Sequence, residues 1–185
     1  MSDAAVRTLP PGVLGMLLFI ASETMFFAGL FAAYASVRAD QSQWPPAGTP
    51  DTSLVLPGLL TVVLMASSIT QHLAAHTSED VVRRRWLGRT IALGALFLVG
   101  QAWEWSQLGA EGLTAATNVY GTVFFLLTGA HGLHVLGGLV MLGGTRARLS
   151  GAGSPGDPGR MEAVTYYWHF VDTVWVFVFL SLYVS

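Results

Sequence analysis

Apolar positions along this chain run in five long unbroken stretches, at about 13–37, 54–75, 87–109, 117–142 and 164–184. Each is at least as long as the roughly 20 residues a helix needs to cross about 30 Å of hydrocarbon. Within them the apolar residues occupy all sides of a helix, not one stripe, as in segments surrounded by lipid or by other helices. Turn chemistry marks the breaks. Trp44-Pro45-Pro46-Ala47-Gly48 and Pro50 fall in the first connection, and Ser154-Pro155-Gly156-Asp157-Pro158-Gly159 in the fourth. Alternation of the kind seen in barrel strands is missing, and so is an internal repeat of the kind found in inverted-repeat transporters. The pattern predicts an all-α, polytopic transmembrane helical bundle of five spans, forming one membrane domain over 1–185.

Composition strengthens that reading. The 185 residues are 52% hydrophobic and 11% charged, with a mean hydropathy of +0.55; soluble domains are about 25% charged. The net charge of -2 says nothing of partners. Lysine is absent and the arginines sit in short connections, which argues against a nucleic-acid surface. The lack of cysteine excludes disulfides, thiolate ligands and cysteine nucleophiles. The first dozen residues, with Arg7 and two prolines, lack the pattern of a cleaved signal peptide.

Arginine distribution predicts orientation. Five spans place Arg7, Arg83, Arg84, Arg85, Arg89, Arg146, Arg148 and Arg160 on one side and Arg38 alone on the other. The N-terminus is therefore expected in the cytoplasm and the C-terminus outside. Trp44, Trp86, Trp103 and Trp105 fall near span ends, where amphipathic rings favour the interface. Arg83, Arg84 and Arg85 with Trp86 are first a topology signal and second a candidate contact for anionic lipid headgroups.

Several polar groups lie inside the spans. Glu23 is near the midplane of the first, where a lone carboxylate costs several kcal/mol and must be protonated, paired or hydrated. A neutral acid holding helices together and a proton-active group both satisfy that condition. Beside it Gly15, Ser22, Gly29 and Ser36 recur every seven residues, a seam expected to admit a second helix. In the last span Thr165, His169 and Asp172 share a face, and His131 and His134 fall in the inner half of the fourth. Glu23, His131, His134, His169 and Asp172 are thus expected in one layer, either a structural polar network or a proton-active group. Gln101 and Glu104 share a face near the outer end of the third span, within reach of headgroups or water. His72 and His76 look interfacial. Five histidines permit a metal or haem site by count, but neither spacing nor helix position assembles one, so no metal ligand and no catalytic residue is assigned.

Four of these segments carry a resemblance. Gly15-Met16-Leu17-Leu18-Phe19-Ile20-Ala21-Ser22-Glu23-Thr24-Met25-Phe26-Phe27-Ala28-Gly29 resembles the helix bearing a buried carboxyl-reactive glutamate in subunit III of the haem–copper respiratory oxidases, with Glu23 at the matching position. Gln101-Ala102-Trp103-Glu104-Trp105, His131-Gly132-Leu133-His134-Val135 and Tyr167-Trp168-His169-Phe170-Val171-Asp172 match three further motifs in order. The likeness covers about residues 12–184. It implies the short, five-helix bacterial form lacking the first two of seven helices, and with them one wall of the cleft in which longer members hold structural phospholipid. It further implies a multi-pass protein of the bacterial cytoplasmic membrane. Such a subunit carries no cofactor of its own, haem and copper being in partner subunits. It packs on subunit I in a complex with subunit II and others, binds membrane lipid and supports proton uptake while the complex reduces dioxygen with cytochrome c. A quinol oxidase or a nitric oxide reductase partner fits the same architecture. Outside the family, a stand-alone proton-coupled transporter using Glu23 and Asp172, or a haem-binding membrane enzyme, is the competing class.

Overall fold

The computed structural model describes residues 9–50, 52–149 and 158–184. These form α1 (Pro11–Ala39), α2 (Val55–His76), α3 (Asp80–Ala110), α4 (Val119–Arg148) and α5 (Pro158–Phe179), which runs on through a π-helical turn, Leu180–Val184. The described residues contain no strand. Arg7 and the Ser154–Asp157 part of the fourth connection lie outside the described residues. The five helices match the five predicted apolar runs, starting within two residues of them in α2 and α4 and overshooting elsewhere. α3 begins seven residues early and α4 ends six late, because arginine is a good helix former and carries the helix past the apolar stretch.

α1, α2, α4 and α5 with its π-turn are long and apolar enough to cross a membrane. α3 is the exception. Its first turns carry Asp80, Arg83, Arg84, Arg85 and Arg89, and its far half carries Gln101 and Glu104. Packing, not apolarity, keeps it in the bundle. Thr70 and Thr90 share a 2.8 Å hydrogen bond, and Leu60 covers Gly100, so α2 and α3 lie antiparallel in constant register. On its other side Phe97 meets His131 and Trp105 meets Phe125 of α4. Thr90, Gln101 and Glu104 are all buried by these neighbours.

The α3–α4 turn shows why the chain reverses where it does. Leu113 N–H donates to Leu108 O at 2.8 Å and Gly112 N–H to Gly109 O at 3.1 Å. Gly112 has φ +91°, the left-handed conformation that closes a helix end in this motif. Asn118 then caps α4, its side chain accepting from Gly121 N–H at 2.8 Å and donating to Thr49 of the first connection. A Cβ at Gly121 would stand 2.3 Å from Thr114 O, so no side chain fits.

α5 occupies the centre. It runs parallel to α1, with Phe19 on Tyr167 and Phe31 on Phe177, and antiparallel to α2 and α4. Lipid is as apolar as leucine, so helices in a bilayer associate through close packing and hydrogen bonds more than through exclusion of water. Trp168 and Trp175 supply both. The Trp168 ring fills the space left by Gly94 of α3 and Gly138 of α4, where an added Cβ would approach it to 2.7 Å in each case. Its Nε1 donates to Ser67 of α2 at 3.1 Å. Two turns on, Trp175 packs on Phe97 and His131 and donates to Thr61 of α2 at 2.9 Å.

One expected seam is not used within the chain. Gly15, Ser22, Gly29 and Ser36 all face away from the other four helices, and a Cβ at Gly15 or Gly29 would have nothing within 4 Å. The expectation fails because α1 turns its aromatic face, Phe27 and Tyr34, toward the bundle.

Filling the indole slot should destabilise the bundle. Gly138→Val is expected to cost about 1–3 kcal/mol by overpacking. Gly143→Ala, where a Cβ meets open space, should be neutral. Thermal unfolding of both variants in the same detergent checks this; equal midpoints would refute it.

Candidate functional site

The expected single layer of polar groups resolves into separate clusters. In the first, Glu23 Oε2 lies 2.9 Å from His134 Nε2, joining α1 to α4 near the middle of both helices. The two side chains are 21% and 16% exposed, with Phe26 and Phe27 beside the imidazole. The other ring nitrogen fixes the protonation. His134 Nδ1 lies 2.7 Å from Ala130 O, and a carbonyl oxygen only accepts, so Nδ1 carries a hydrogen. A neutral His134 then has a bare Nε2, and Glu23 must donate to it as the neutral acid. If the proton crosses, a carboxylate accepts from an imidazolium. Either way the contact holds one proton and no net charge, which is how a carboxyl and an imidazole are held in lipid at least cost.

His131, one turn away on α4, belongs to neither partner. It is fully buried between Phe97 and Trp175, and neither ring nitrogen has a hydrogen-bond partner among the described residues. It packs as an aromatic ring.

The second cluster lies between α2 and α5. Thr165, His169 and Asp172 do share a face, and it is the face that meets α2. Gln71 donates to Thr165 at 2.9 Å, and Ser68 Oγ and His169 Nδ1 stand 2.6 Å apart. Asp172 is 3% exposed, with Ser68 beside it, yet neither carboxyl oxygen has a hydrogen bond of good geometry among the described residues. His72 and His76, at the end of α2, are exposed, with ring centroids 4.0 Å apart.

The third cluster corrects an expectation. Glu104 does not reach for headgroups or water. It is 6% exposed and turns inward, accepting at Oε2 from Gln101 at 2.7 Å and from Tyr183 at 2.9 Å. Nearby, Tyr120 donates to Leu182 O at 3.1 Å and Tyr34 to Ser181 O, satisfying carbonyls at the end of the last helix.

At the opposite end the arginines gather as the sequence predicts. The antiparallel register brings the start of α3, the end of α4 and the start of α5 to one end of the bundle. Arg83 is paired with Asp80 at 2.6 Å and also donates to Thr77 O, so its charge is largely spoken for. Arg89 stacks over Trp86 at 4.2 Å, and Arg146 donates to Arg84 O. Arg84 and Arg85 are exposed. Among the described residues no three His, Asp or Glu side chains converge as a metal-ligand set.

Sequence reasoning passed over the partners on α2. Thr61, Ser67, Ser68 and Gln71 receive the polar groups of α5, and the seven-residue step from Thr61 to Ser68 and the four-residue step from Ser67 to Gln71, which put them on one side of the helix inside an apolar run, were the signal available. Tyr34, Tyr120 and Tyr183 were missed because a tyrosine near a span end also fits an interfacial anchor.

Comparison with known proteins covers this whole arrangement. The family model described as cytochrome c oxidase subunit III matches residues 7–185. A Synechocystis protein named cytochrome c oxidase subunit 3 is 40% identical over 174 residues, covering 91% of this chain and 73% of that protein. Its namesake in Thermostichus vulcanus is 41% identical over 177 residues, 93% of this chain and 86% of its own length. The Corynebacterium diphtheriae protein of the same name is 40% identical over 176 residues, with 91% and 85% covered. All four motifs and all three clusters fall within the matched region, and the chain belongs to the cytochrome c oxidase subunit III family.

Proposed function

We propose that this chain is an accessory, non-redox subunit of a bacterial haem–copper terminal oxidase. In this reading it packs on subunit I, binds structural phospholipid and supports proton uptake during sustained reduction of dioxygen with cytochrome c as donor. Family membership supplies the oxidase complex. The observation that carries the finer role is the Glu23–His134 contact. A carboxyl held mid-helix with one proton and a fixed imidazole tautomer is suited to hold or pass a proton without a metal. In this reading redox chemistry belongs to partner subunits of the complex. The protein sits in the bacterial cytoplasmic membrane with the arginine-rich end inside, following the positive-inside rule. Arg84 and Arg85 on that end are placed to meet anionic headgroups.

Two outcomes are expected. Affinity purification of the tagged chain from its native membranes should bring down a large haem-bearing subunit, while the chain expressed alone should show no Soret band. A Soret band from the chain alone would overturn the accessory assignment. Glu23→Gln keeps a hydrogen-bonding side chain against His134 but removes the carboxyl. The assembled variant oxidase should retain most of its initial turnover and lose activity sooner during continuous turnover. Complete loss of initial activity in an assembled complex would contradict an accessory role.

A further inference from the structure

Asp172 is the buried acid that the Glu23–His134 pair leaves unexplained. It is 3% exposed and neither oxygen is hydrogen-bonded in good geometry among the described residues. The groups that face it are few. α2 brings Ser68 beside it, and His72 follows Ser68 one turn nearer the arginine-rich end. Of the titratable groups inside α1 and α4, Glu23 and His134 are committed to each other and His131 lies in its aromatic box. From α3 the contact is Phe97 on Trp175.

Order along the helices is the second observation. α2 and α5 are antiparallel, and four contacts fix their register: Thr61 with Trp175, Ser67 with Trp168, Ser68 with His169, and Gln71 with Thr165. In that register His76, His72, His169 with Ser68, and Asp172 follow one another at successive depths from the arginine-rich end. His76 and His72 are exposed with ring centroids 4.0 Å apart, His72 stands one turn from Ser68 on α2, and His169 is half-buried against Ser68. The 4.0 Å spacing of the His72 and His76 rings and the 2.6 Å Ser68–His169 contact are the close steps, and the series ends on a carboxyl with no hydrogen bond of good geometry among the described residues.

We propose that His76, His72, His169 and Ser68 form a proton path from the arginine-rich end of the bundle to Asp172, which serves as a proton-holding site inside the membrane. A proton arriving at Nε2 of His169 forms an N–H bond there, and the Nδ1–H bond breaks as its hydrogen moves to Ser68 Oγ. The Ser68 hydroxyl hydrogen passes to the Asp172 carboxylate, forming one O–H bond. Ser68 ends as a hydroxyl and His169 as a neutral ring with its hydrogen on Nε2. An imidazole with two nitrogens and a hydroxyl that both donates and accepts are the groups this relay requires. The route deepens the accessory proton role proposed above and depends on it only for what the proton is used for.

The test is infrared hydrogen–deuterium exchange on the full chain in lipid vesicles, following the carbonyl stretch of the protonated carboxyl that Asp172→Asn removes. Ser68→Ala and His169→Phe should each slow exchange of that band by roughly 100-fold, the lower end of what a positioned proton-transfer group contributes. Ser68→Thr, which keeps the hydroxyl, should restore it, and His131→Phe should leave it unchanged. If the wild-type chain shows no protonated band lost in Asp172→Asn, or if either Ser68→Ala or His169→Phe exchanges at the wild-type rate, the route is wrong. That failure would leave the oxidase assignment standing, because the measurement uses no partner subunit.

Discussion

The indole of Trp168 fills the volume that two absent side chains leave, at Gly94 on α3 and Gly138 on α4, and gives its one hydrogen to Ser67 on α2. Three helices are thereby referred to a single ring on α5. Trp175 repeats the arrangement two turns along with Phe97, His131 and Thr61. In a bilayer, where apolar burial offers little driving force between helices, such close contacts and buried hydrogen bonds decide which helix faces meet. The register of every polar cluster follows from these two residues. Ser68 meets His169 because Ser67 meets Trp168, and the backbone of His134 meets Tyr167 because Gly138 admits its neighbour.

The number of helices and their order were legible in the sequence, since continuous apolar runs and proline-glycine breaks report on hydrocarbon thickness and turn chemistry, but the arginine-bearing ends, where helix runs past the apolar stretch, were not. α3 was legible as a helix, but what keeps it among the others was not. Its Gln101 and Glu104 are affordable only because Tyr183, at the far end of the chain, donates to the carboxylate. Faces of a single helix were legible too, as Thr165, His169 and Asp172 show. Rotation of one helix against another was not. Glu23 and His134 were expected at one depth along with His131, yet only His134 faces α1, because His131 is turned inward by one turn of helix and a pair of aromatic rings. The heptad of small residues on α1 carries the same lesson from the other side. Its spacing is real, but the bundle meets the opposite face of α1, led by Phe27 and Tyr34.

Pairing explains how so many polar groups persist in a chain of this hydropathy. Glu23 shares a proton with an imidazole, and Glu104 accepts two hydrogen bonds. The carbonyls near the end of the last helix are capped by Tyr34 and Tyr120. A subunit built this way keeps acids inside the membrane through hydrogen bonds within its own chain.

The central claim is that bundle packing fixes where protons reside, most sharply at His134, where Ala130 O dictates the tautomer. Nitrogen-15 solid-state NMR of histidine-labelled chain in membranes, with His134 assigned by substitution, reads that directly. The account predicts a protonated Nδ1 and an Nε2 hydrogen-bonded to the Glu23 carboxyl. An unprotonated Nδ1 on His134, or an Nε2 signal unchanged in Glu23→Gln, would contradict it.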